Sequence, residues 1–436
     1  MGSCFQAPLT FLRQHPIRAL IVLGLIGLLG VVGWVGGRRL WAEHHFRAAE
    51  QAAERRDFAQ AREHLAVCLQ TMPASGRVRL LAARTARRAG DFDLAQEHLR
   101  ACGQLGFEPK TVEVEWSLLA AKRGHFAQQE PFLWILVEQD HPDTLVILEV
   151  LIDGYIQHYR MLRALRCLDL YLERESENVQ AWLGRGWVCE RLFYWADAVQ
   201  SYRRAVELEP AGRQEPARLR LAKALVVTGP PEAAAEEFEA LRQGRPEDPE
   251  VLLGLARCRR QQGRLDDAGR LLDELTSRHP QADAALGERG RLAMDAGDPA
   301  EAEGWLRKAV AKSPHDREAR YNLYQCLKQQ GKEKEAQKCL SIFERLDADL
   351  KRIDWLTRQM QRTPYDPELY HEAGILCLRN GIPEEGVRWL RLALRYDPQH
   401  RPSHQALADY YQGAGRPDLA AQHRQLAQQP VQQFAP

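Results

Sequence analysis

The sequence lacks an excess of charge of either sign. Its 436 residues include 60 lysines and arginines against 59 acids, a formal net charge of +1 at pH 7. Proteins that bind nucleic acid or anionic lipid through their overall field carry a strong basic excess, and that class is disfavoured here. A partner attracted by charge would have to contact a local patch.

Motifs of catalysis and of metal or cofactor binding are also missing. The chain contains no Walker loop, GxGxxG, GxSxG or HExxH pattern. Its nine cysteines are scattered singly and without CxxC spacing, so neither zinc nor a disulfide framework is indicated. The close histidines, His44-His45 and His400 with His404, are interpreted as solvated helix ends. We therefore expect no enzymatic activity, no cofactor and no metal.

Long hydrophobic runs are absent, with one exception. Residues 19–37 are nineteen uncharged residues in succession, bounded by Arg18 on one side and by Arg38 and Arg39 on the other. About 20 residues of helix cross a bilayer core, whereas the apolar part of a secretory signal has about 7 to 15. The run predicts a transmembrane helix after a short tail, residues 1–18, with cleavage as the alternative. Basic residues flank both ends, and their count slightly favours a cytoplasmic array.

What the sequence has instead is a period of 34 residues. Glycines keep this step in three runs: Gly90 and Gly124, then Gly263, Gly297 and Gly331, and then Gly381 and Gly415. Alanines repeat at the same step five residues later. Counting the unit as positions 1 to 34 gives eleven units over 42–434, starting at residues 42, 76, 110, 145, 179, 215, 249, 283, 317, 367 and 401. A period of this length indicates a repeat array rather than a set of separate domains.

Each unit has two apolar stretches of helical spacing, a turn near position 15 and a final proline or polar loop, so it is predicted to be a helical hairpin. In the fifth unit, positions 4, 8, 20, 24, 27 and 32 hold Trp182, Gly186, Ala198, Tyr202, Ala205 and Pro210. This pattern resembles the tetratricopeptide repeat, in the form of a membrane-anchored bacterial-type protein. Departures from the pattern are Ile152 and Tyr324 at position 8 and Gln129 at position 20. The resemblance implies an all-α, right-handed solenoid of about eleven hairpins whose first helices line a concave groove.

Sixteen additional residues, 351–366, interrupt the array after the ninth unit. Apolar residues from Leu340 to Met360 advance by three or four, which predicts one elongated helix near 334–362 that ends before Thr363. Its apolar face is compatible with packing against the last two units or with a homodimer. The predicted segments are a tail 1–18, a transmembrane helix 19–37, nine units over 42–350, a spacer 351–366, and two units with a polar cap over 367–434.

The resemblance also indicates where a partner would bind. In this family positions 2, 5, 9 and 12 of the first helices share the face that lines the groove. Position 9 carries Lys223, Arg257 and Arg291 in successive units, which predicts a basic column. Lys223 and Arg257 have no acid three or four residues away and are predicted to be the freer charges. The remaining predicted groove residues are an aromatic anchor and two further cations: Trp187, Arg191 and Arg260. A solvated face paired with acids of adjacent repeats is the alternative.

These features predict a membrane-anchored, non-enzymatic scaffold that holds a protein or peptide segment in its groove, and the basic column favours an acidic segment. The predicted location is a membrane, with a single span, and no nucleic acid is expected as a partner. An RNA-binding helical-repeat protein is a second hypothesis, disfavoured because the array is near neutral and steps by 34 rather than 35. A third is an enzyme whose site lies at the long helix.

Overall fold

The computed structural model describes residues 36–210 and 212–428. Within these residues the chain is helical throughout and contains no strand. Successive helices pair as antiparallel hairpins in the order α1 (36–54) and α2 (Phe58–Thr71), α3 (Gly76–Ala89) and α4 (Phe92–Gln104), α5 (Pro109–Ala120) and α6 (Phe126–Glu138), α7 (Thr144–Gln157) and α8 (Met161–Arg174), α9 (Val179–Arg191) and α10 (Trp195–Leu208), α11 (Glu215–Thr228) and α12 (Pro231–Gly244), α13 (Pro249–Gln261) and α14 (Leu265–Arg278), α15 (Asp283–Asp295) and α16 (Pro299–Lys312), α17 (Arg317–Gln329) and α18 (Glu333–Arg362), α19 (Pro367–Arg379) and α20 (Pro383–Tyr396), and α21 (Arg401–Gly413) and α22 (Pro417–Gln428). The all-helical solenoid of tetratricopeptide-like hairpins expected from the sequence is therefore present. The chain forms two compact units, Met1–Val150 and Leu151–Pro436.

Short polar and glycine signals set the ends of these helices. The side chain of Ser75 accepts a hydrogen bond from the Val78 amide, and Asp316 does the same for Ala319. Such caps satisfy amide groups that have no partner within the helix. At the turn between the two helices of a hairpin, Gly297 has φ +79°, a left-handed conformation that glycine adopts without steric cost.

Small residues allow the two helices of most hairpins to approach closely. A Cβ atom added to Gly290 in α15 would lie 2.5 Å from Cγ of Leu306 in α16. At the equivalent position of the fifth hairpin, a Cβ on Gly186 would lie 2.4 Å from Tyr202 Cε1. Leucines and aromatic rings of the second helices fill this space, and Tyr202 and Leu306 are fully buried. The buried apolar residues form several clusters along the hairpins, and the largest of those given extends from Cys189 to Ala285.

The third hairpin departs from the regular packing. Its helices are joined by residues 121–125, where the chain kinks at Gly124, whose φ of 109° is non-helical. Pro131 lies inside α6 and cannot donate an amide hydrogen bond, and Gln129 occupies the position where other hairpins place a small residue. An apolar pocket of about 510 Å³ lies beside this hairpin, lined in part by Trp116 and Gln129.

The membrane-spanning helix expected over residues 19–37 is a wrong prediction. Of the helices in the described part of the chain, none is both long and apolar enough to cross a bilayer. The described part of α1 carries Arg38 and Arg39 within its first turn, and these two charges interrupt any apolar run. The segment 19–37 that suggested a span lies outside the described residues except for its last two. The single-pass membrane localisation that depended on it is therefore withdrawn.

The long helix α18 extends over Glu333–Arg362, where the sequence predicts 334–362. Its apolar face is buried inside Leu151–Pro436, with Leu346, Leu356 and Met360 almost inaccessible to solvent. Asp349 lies on the same face and accepts hydrogen bonds from the guanidinium of Arg379 in α19. The sixteen additional residues thus continue the second helix of the ninth hairpin up to the tenth. The polar cap predicted beyond residue 428 lies outside the described residues.

Candidate functional site: the groove of the first helices

The first helices form the inner face of the hairpin stack. In the unit Leu151–Pro436, α11 contacts α13, α13 contacts α15, and α15 contacts α17, although each pair is separated by a second helix in the sequence. Elements that touch across an intervening helix lie on the concave side of a curved stack. The groove floor is therefore built from the helices that carry the predicted basic column.

Lys223 on α11 is paired rather than free. Its Nζ lies 2.8 Å from Oε2 of Glu250, which is in the first turn of α13. The two side chains remain 50% and 56% exposed, so the pair is solvated and contributes little to stability. The expectation that Lys223 is one of the freer charges is not met, because its acid comes from the next hairpin.

Arg257 and Arg260 on α13 share one buried carboxylate. Glu288 on α15 is only 2% exposed, and it accepts hydrogen bonds from Nε of Arg257 at 3.2 Å and from Nε of Arg260 at 2.6 Å. Arg260 also donates through Nη1 to Asp295 at 2.8 Å. Arg291 lies 4.0 Å from the same Glu288 and 3.3 Å from Glu318 of α17. The basic column is thus present as a ladder of charge pairs between adjacent first helices.

The same arrangement recurs in the unit Met1–Val150. Arg84 and Arg87 on α3 donate through Nε to Glu115 of α5, at 2.7 and 3.1 Å. The sequence separations, 31 and 28 residues, equal those of the Glu288 cluster. Arginines at positions 9 and 12 followed by a glutamate at position 6 of the next repeat are the signal, which the sequence analysis missed. Two independent copies show that this pairing fixes one first helix against the next.

Arg191 lies at the end of the groove rather than in the column. Its guanidinium carbon is 5.1 Å from the ring centroid of Trp187, a cation–π distance. Nη1 of Arg191 lies 3.6 Å from Oε1 of Glu385 at the start of α20. The predicted aromatic anchor and Arg191 are therefore adjacent, and Arg191 connects the fifth hairpin to the tenth.

A pocket of about 270 Å³ opens at the other end of the column. It is lined by Arg291, Arg317, Glu318, Tyr321, Asn322 and Phe343. The Tyr321 ring is 40% exposed and lies 5.0 Å from that of Phe343. Tyr321 stands at position 5 of the ninth unit, so the groove rule could have identified it. Phe343 belongs to the apolar run of α18, where nothing in the sequence distinguishes a pocket residue from a core residue.

The described residues show no reactive centre at this groove. Burial raises the pKa of the Cys189 and Cys258 thiols to about 11, so both remain protonated near neutral pH. In the part of the chain that the structure describes, no group of three or more histidine, cysteine or acidic side chains could hold a metal ion. What the groove offers is a surface of aromatic groups and of cations paired with carboxylates, among which Glu250 and Glu318 are exposed.

Comparison with known proteins supports the repeat family. Residues 228–287 and 293–349 match one tetratricopeptide repeat family profile, and residues 155–216 and 261–317 match a second. No curated protein sequence matches the chain significantly. The matched segments lie within residues 155–349, and this part of the chain is similar to tetratricopeptide repeats.

Several solved structures are similar in fold. A tetratricopeptide repeat protein from Parabacteroides merdae is 16% identical, with 66% of this chain and 99% of that chain covered and a TM-score of 0.34. Human IFIT1, solved as a dimer with PPP-AAAA, is 17% identical over 81% of this chain and 90% of its own, with a TM-score of 0.36. YrrB, described as having an unusual peptide-binding site, is 16% identical over 48% of this chain and 98% of its own, with a TM-score of 0.27. At these identities the likeness concerns the helical architecture alone.

Proposed function

We propose that this protein is a non-enzymatic scaffold that binds an extended segment of a protein partner in the groove of the fifth to ninth hairpins. The observation that carries the proposal is the regular inner face, on which Lys223, Arg257 and Arg291 follow each other one hairpin apart and end at the pocket of Tyr321. The carboxylates that pair with them leave part of each cation exposed: the side chains of Lys223, Arg257 and Arg291 remain 50%, 37% and 33% exposed.

The preferred segment is acidic and contains an aromatic or large apolar side chain. Stacked helices lie about 8 to 10 Å apart, and an extended peptide advances about 3.3 to 3.6 Å per residue. Carboxylates about three residues apart would therefore meet successive cations. An aromatic side chain would fill the pocket between Tyr321 and Phe343, and Trp187 offers a second contact at the opposite end.

A labelled random copolymer of glutamate and tyrosine is a suitable probe, with polylysine as the comparator of opposite charge. We expect the full chain to bind the acidic copolymer, with affinity that falls as salt rises. Exposed ion pairs contribute about 0.2 to 1 kcal/mol, so Lys223→Glu combined with Tyr321→Ala should weaken binding several-fold. Fluorescence anisotropy measures the dissociation constant, and circular dichroism checks that the variant is folded.

Arg270→Glu is the matched control, because it reverses an exposed charge on the second helix α14. Equal weakening by Arg270→Glu would show that only net charge matters. Unchanged affinity in the Lys223 and Tyr321 variant would exclude the groove as the binding site. Tighter binding of a 20-nucleotide single-stranded RNA than of the copolymer would favour the RNA-binding hypothesis instead.

A further inference from the structure

The turn of the fourth hairpin contacts the tenth hairpin, about two hundred residues further along the chain. The ring of Tyr159 lies 4.3 Å from that of Trp389, centroid to centroid, in an edge-to-face arrangement. Nε2 of Gln361, near the end of α18, donates to the carbonyl oxygen of Tyr159 at 2.6 Å. The amide of Leu162 donates back to Oε1 of Gln361 at 3.3 Å. Together with the Arg191–Glu385 pair, these contacts form what we call the seam: Tyr159, Leu162 and Arg191 against Gln361, Glu385 and Trp389.

The seam is a packed contact, not a chance approach of two surfaces. Tyr159 is 5% exposed, and Trp389 and Tyr370 beneath it are inaccessible. The hydroxyl of Tyr370 lies 3.4 Å from the carbonyl oxygen of His158, and Nδ1 of His158 lies 2.7 Å from the hydroxyl of Tyr396. Buried aromatic pairs of this geometry stabilise an interface beyond the area they bury.

The backbone of Tyr159 shows that the contact has a local cost. Tyr159 stands at position 15 of its repeat, where seven of the other hairpins carry a left-handed glycine, and it has φ +55°. Residues with a Cβ rarely adopt this conformation, because the Cβ crowds the backbone. Phe193, one repeat later, has φ +60° but is 56% exposed and lies outside the seam. Burial of the Tyr159 ring against Trp389 offsets the free-energy cost of this left-handed backbone conformation.

The extension of α18 makes the seam possible. Second helices of regular hairpins are about 14 residues long, for example Pro299–Lys312, whereas α18 has 30. The sixteen additional residues lengthen it by about 24 Å at 1.5 Å per residue. This additional length places Gln361 and the tenth hairpin next to the turn of the fourth hairpin. Hairpins five to nine are consequently closed into a loop, with the first helices on its inner side.

We infer that the seam is a gate, which closes the groove around a bound segment and opens when that segment enters or leaves. This inference rests on the proposed function of the groove. Arg191 supports it directly, because this side chain contacts Trp187 within the groove and Glu385 across the seam. A segment bound at Trp187 would touch the same guanidinium that holds the loop closed.

Tyr159→Gly tests the gate. The substitution removes the seam ring and places glycine at a left-handed position, so the turn itself gains freedom. Phe193→Gly is the matched control, since it makes the same change at the same repeat position outside the seam. Gln361→Ala is a milder second variant, which removes both seam hydrogen bonds without touching the aromatic core.

Two measurements on the full chain distinguish the outcomes. Spin labels at Arg163→Cys and Arg358→Cys, in a Cys4→Ser background, report the distance across the seam, since the cysteines of the described residues are buried. We expect a narrow distance distribution in the parent and a broad one in Tyr159→Gly and Gln361→Ala, but not in Phe193→Gly. Stopped-flow binding of the glutamate-tyrosine copolymer should show association and dissociation both several-fold faster in the two seam variants.

A closed form completes the test. Leu162→Cys and Gln361→Cys, bridged by a bifunctional maleimide, should slow both association and dissociation at least several-fold. Normal copolymer binding with unchanged rates in the open and bridged forms would overturn the gate and leave the groove intact. Failure of the parent chain to bind the copolymer would overturn the proposed function, and the gate with it. A narrow distribution of spin-label distances in both seam variants would show that these contacts do not close the loop.

Discussion

At the scale of single residues, the buried glutamates decide how the first helices are held together. Glu115 and Glu288 each accept hydrogen bonds from two arginines of the preceding hairpin while being almost inaccessible to solvent. A buried ion pair need not stabilise a protein relative to apolar packing, but removing one partner leaves an uncompensated charge. The carboxylates are therefore required once the arginines are present.

Glu288→Gln should destabilise the protein markedly. The amide keeps the shape of the side chain but removes the charge that Arg257 and Arg260 share, and Arg260 then has only Asp295 as a carboxylate partner. Breaking a buried pair in this way typically costs about 3 to 5 kcal/mol. Chemical denaturation measures the free energy of unfolding of Leu151–Pro436 in the full chain. Glu250→Gln, which breaks the exposed pair with Lys223, is the control and should cost at most about 1 kcal/mol. Equal losses in the free energy of unfolding for the two variants would mean that burial of the carboxylate does not determine how much its ion pairs stabilise the protein.

Pairing between repeats was the part of the site that the sequence could not reveal by local inspection. Lys223 has no acid three or four residues away, yet it meets Glu250, 27 residues later. Such a partner is predictable only after the repeat register is known, because the register decides which position of the next first helix lies opposite. The basic column could be predicted from position 9 alone. To predict the carboxylates that neutralise it, the spacing of whole hairpins has to be known.

At the scale of helices and hairpins, close contact between the two helices explains where small residues are needed. Gly290 in α15 lies against Leu306, whereas Gly304 in α16 faces open space. Both glycines are in helix interiors and differ mainly in what an added methyl group would meet. They provide a direct comparison of overpacking with helix propensity.

Gly290→Ala should therefore destabilise and Gly304→Ala should stabilise. The first change places a Cβ 2.5 Å from a leucine side chain, and overpacking of this kind costs about 1 to 3 kcal/mol. The second replaces a flexible glycine by the best helix former, which contributes roughly 0.5 to 1 kcal/mol. Thermal unfolding, monitored by circular dichroism, measures the change in melting temperature for both variants. A stabilising Gly290→Ala would contradict the tight packing of the eighth hairpin.

The eleventh hairpin should lose stability in mild acid. Nδ1 of His404 lies 2.9 Å from Nδ1 of His423, and Nε2 of His404 faces the carbonyl oxygen of Pro398 at 3.0 Å. Burial, with the nearby His404 and Arg391, lowers the pKa of His423 below its usual 6.5. The unfolded hairpin thus binds a proton more readily, so its stability is complete above about pH 6.5 and declines as the pH falls below that value.

Hydrogen exchange of residues 401–428, corrected for intrinsic rates, measures this effect between pH 7.5 and 5.5. Protection should decrease in the parent as the pH is lowered. His423→Gln retains a hydrogen-bonding side chain without a titrating group, and it should remove most of the pH dependence. If the protection of residues 401–428 in the parent did not change between pH 7.5 and 5.5, the predicted acid sensitivity of this hairpin would be wrong.

Helix boundaries were predictable and the irregular hairpin was not. First helices begin at Glu215, Pro249, Asp283 and Arg317, which are the residues that the 34-residue period indicates. Polar caps and turn glycines repeat with that period, so the chain signals each boundary locally. In the third hairpin the sequence showed only that Gln129 departs from the pattern. The adjacent pocket depends on how neighbouring helices adjust to that side chain.

At the scale of the whole chain, the period accounts for the stack of hairpins but not for the seam. Residues 159 and 361 bear no repeat relationship, and contacts between distant segments leave no periodic trace in one sequence. The long helix was predictable from its apolar face, yet its role in reaching the fourth hairpin was not. A contact of this kind also changes how a disturbance spreads, because an open solenoid couples only neighbouring repeats.

Ala268→Trp measures that coupling. Ala268 is fully buried in α14, and a bulky side chain there should disrupt the seventh hairpin first. Hydrogen exchange should rise over residues 249–314, and also at 359–389, because the loop between the two sides of the seam is no longer rigid. Residues 76–142 belong to the other compact unit and should keep their protection.

In a Tyr159→Gly background, the additional rise in hydrogen exchange that Ala268→Trp causes at residues 359–389 should vanish, since an open seam no longer transmits the disturbance. Loss of protection that is uniform along the chain would contradict the solenoid, whereas a rise confined to 249–314 would show that the seam does not couple distant hairpins.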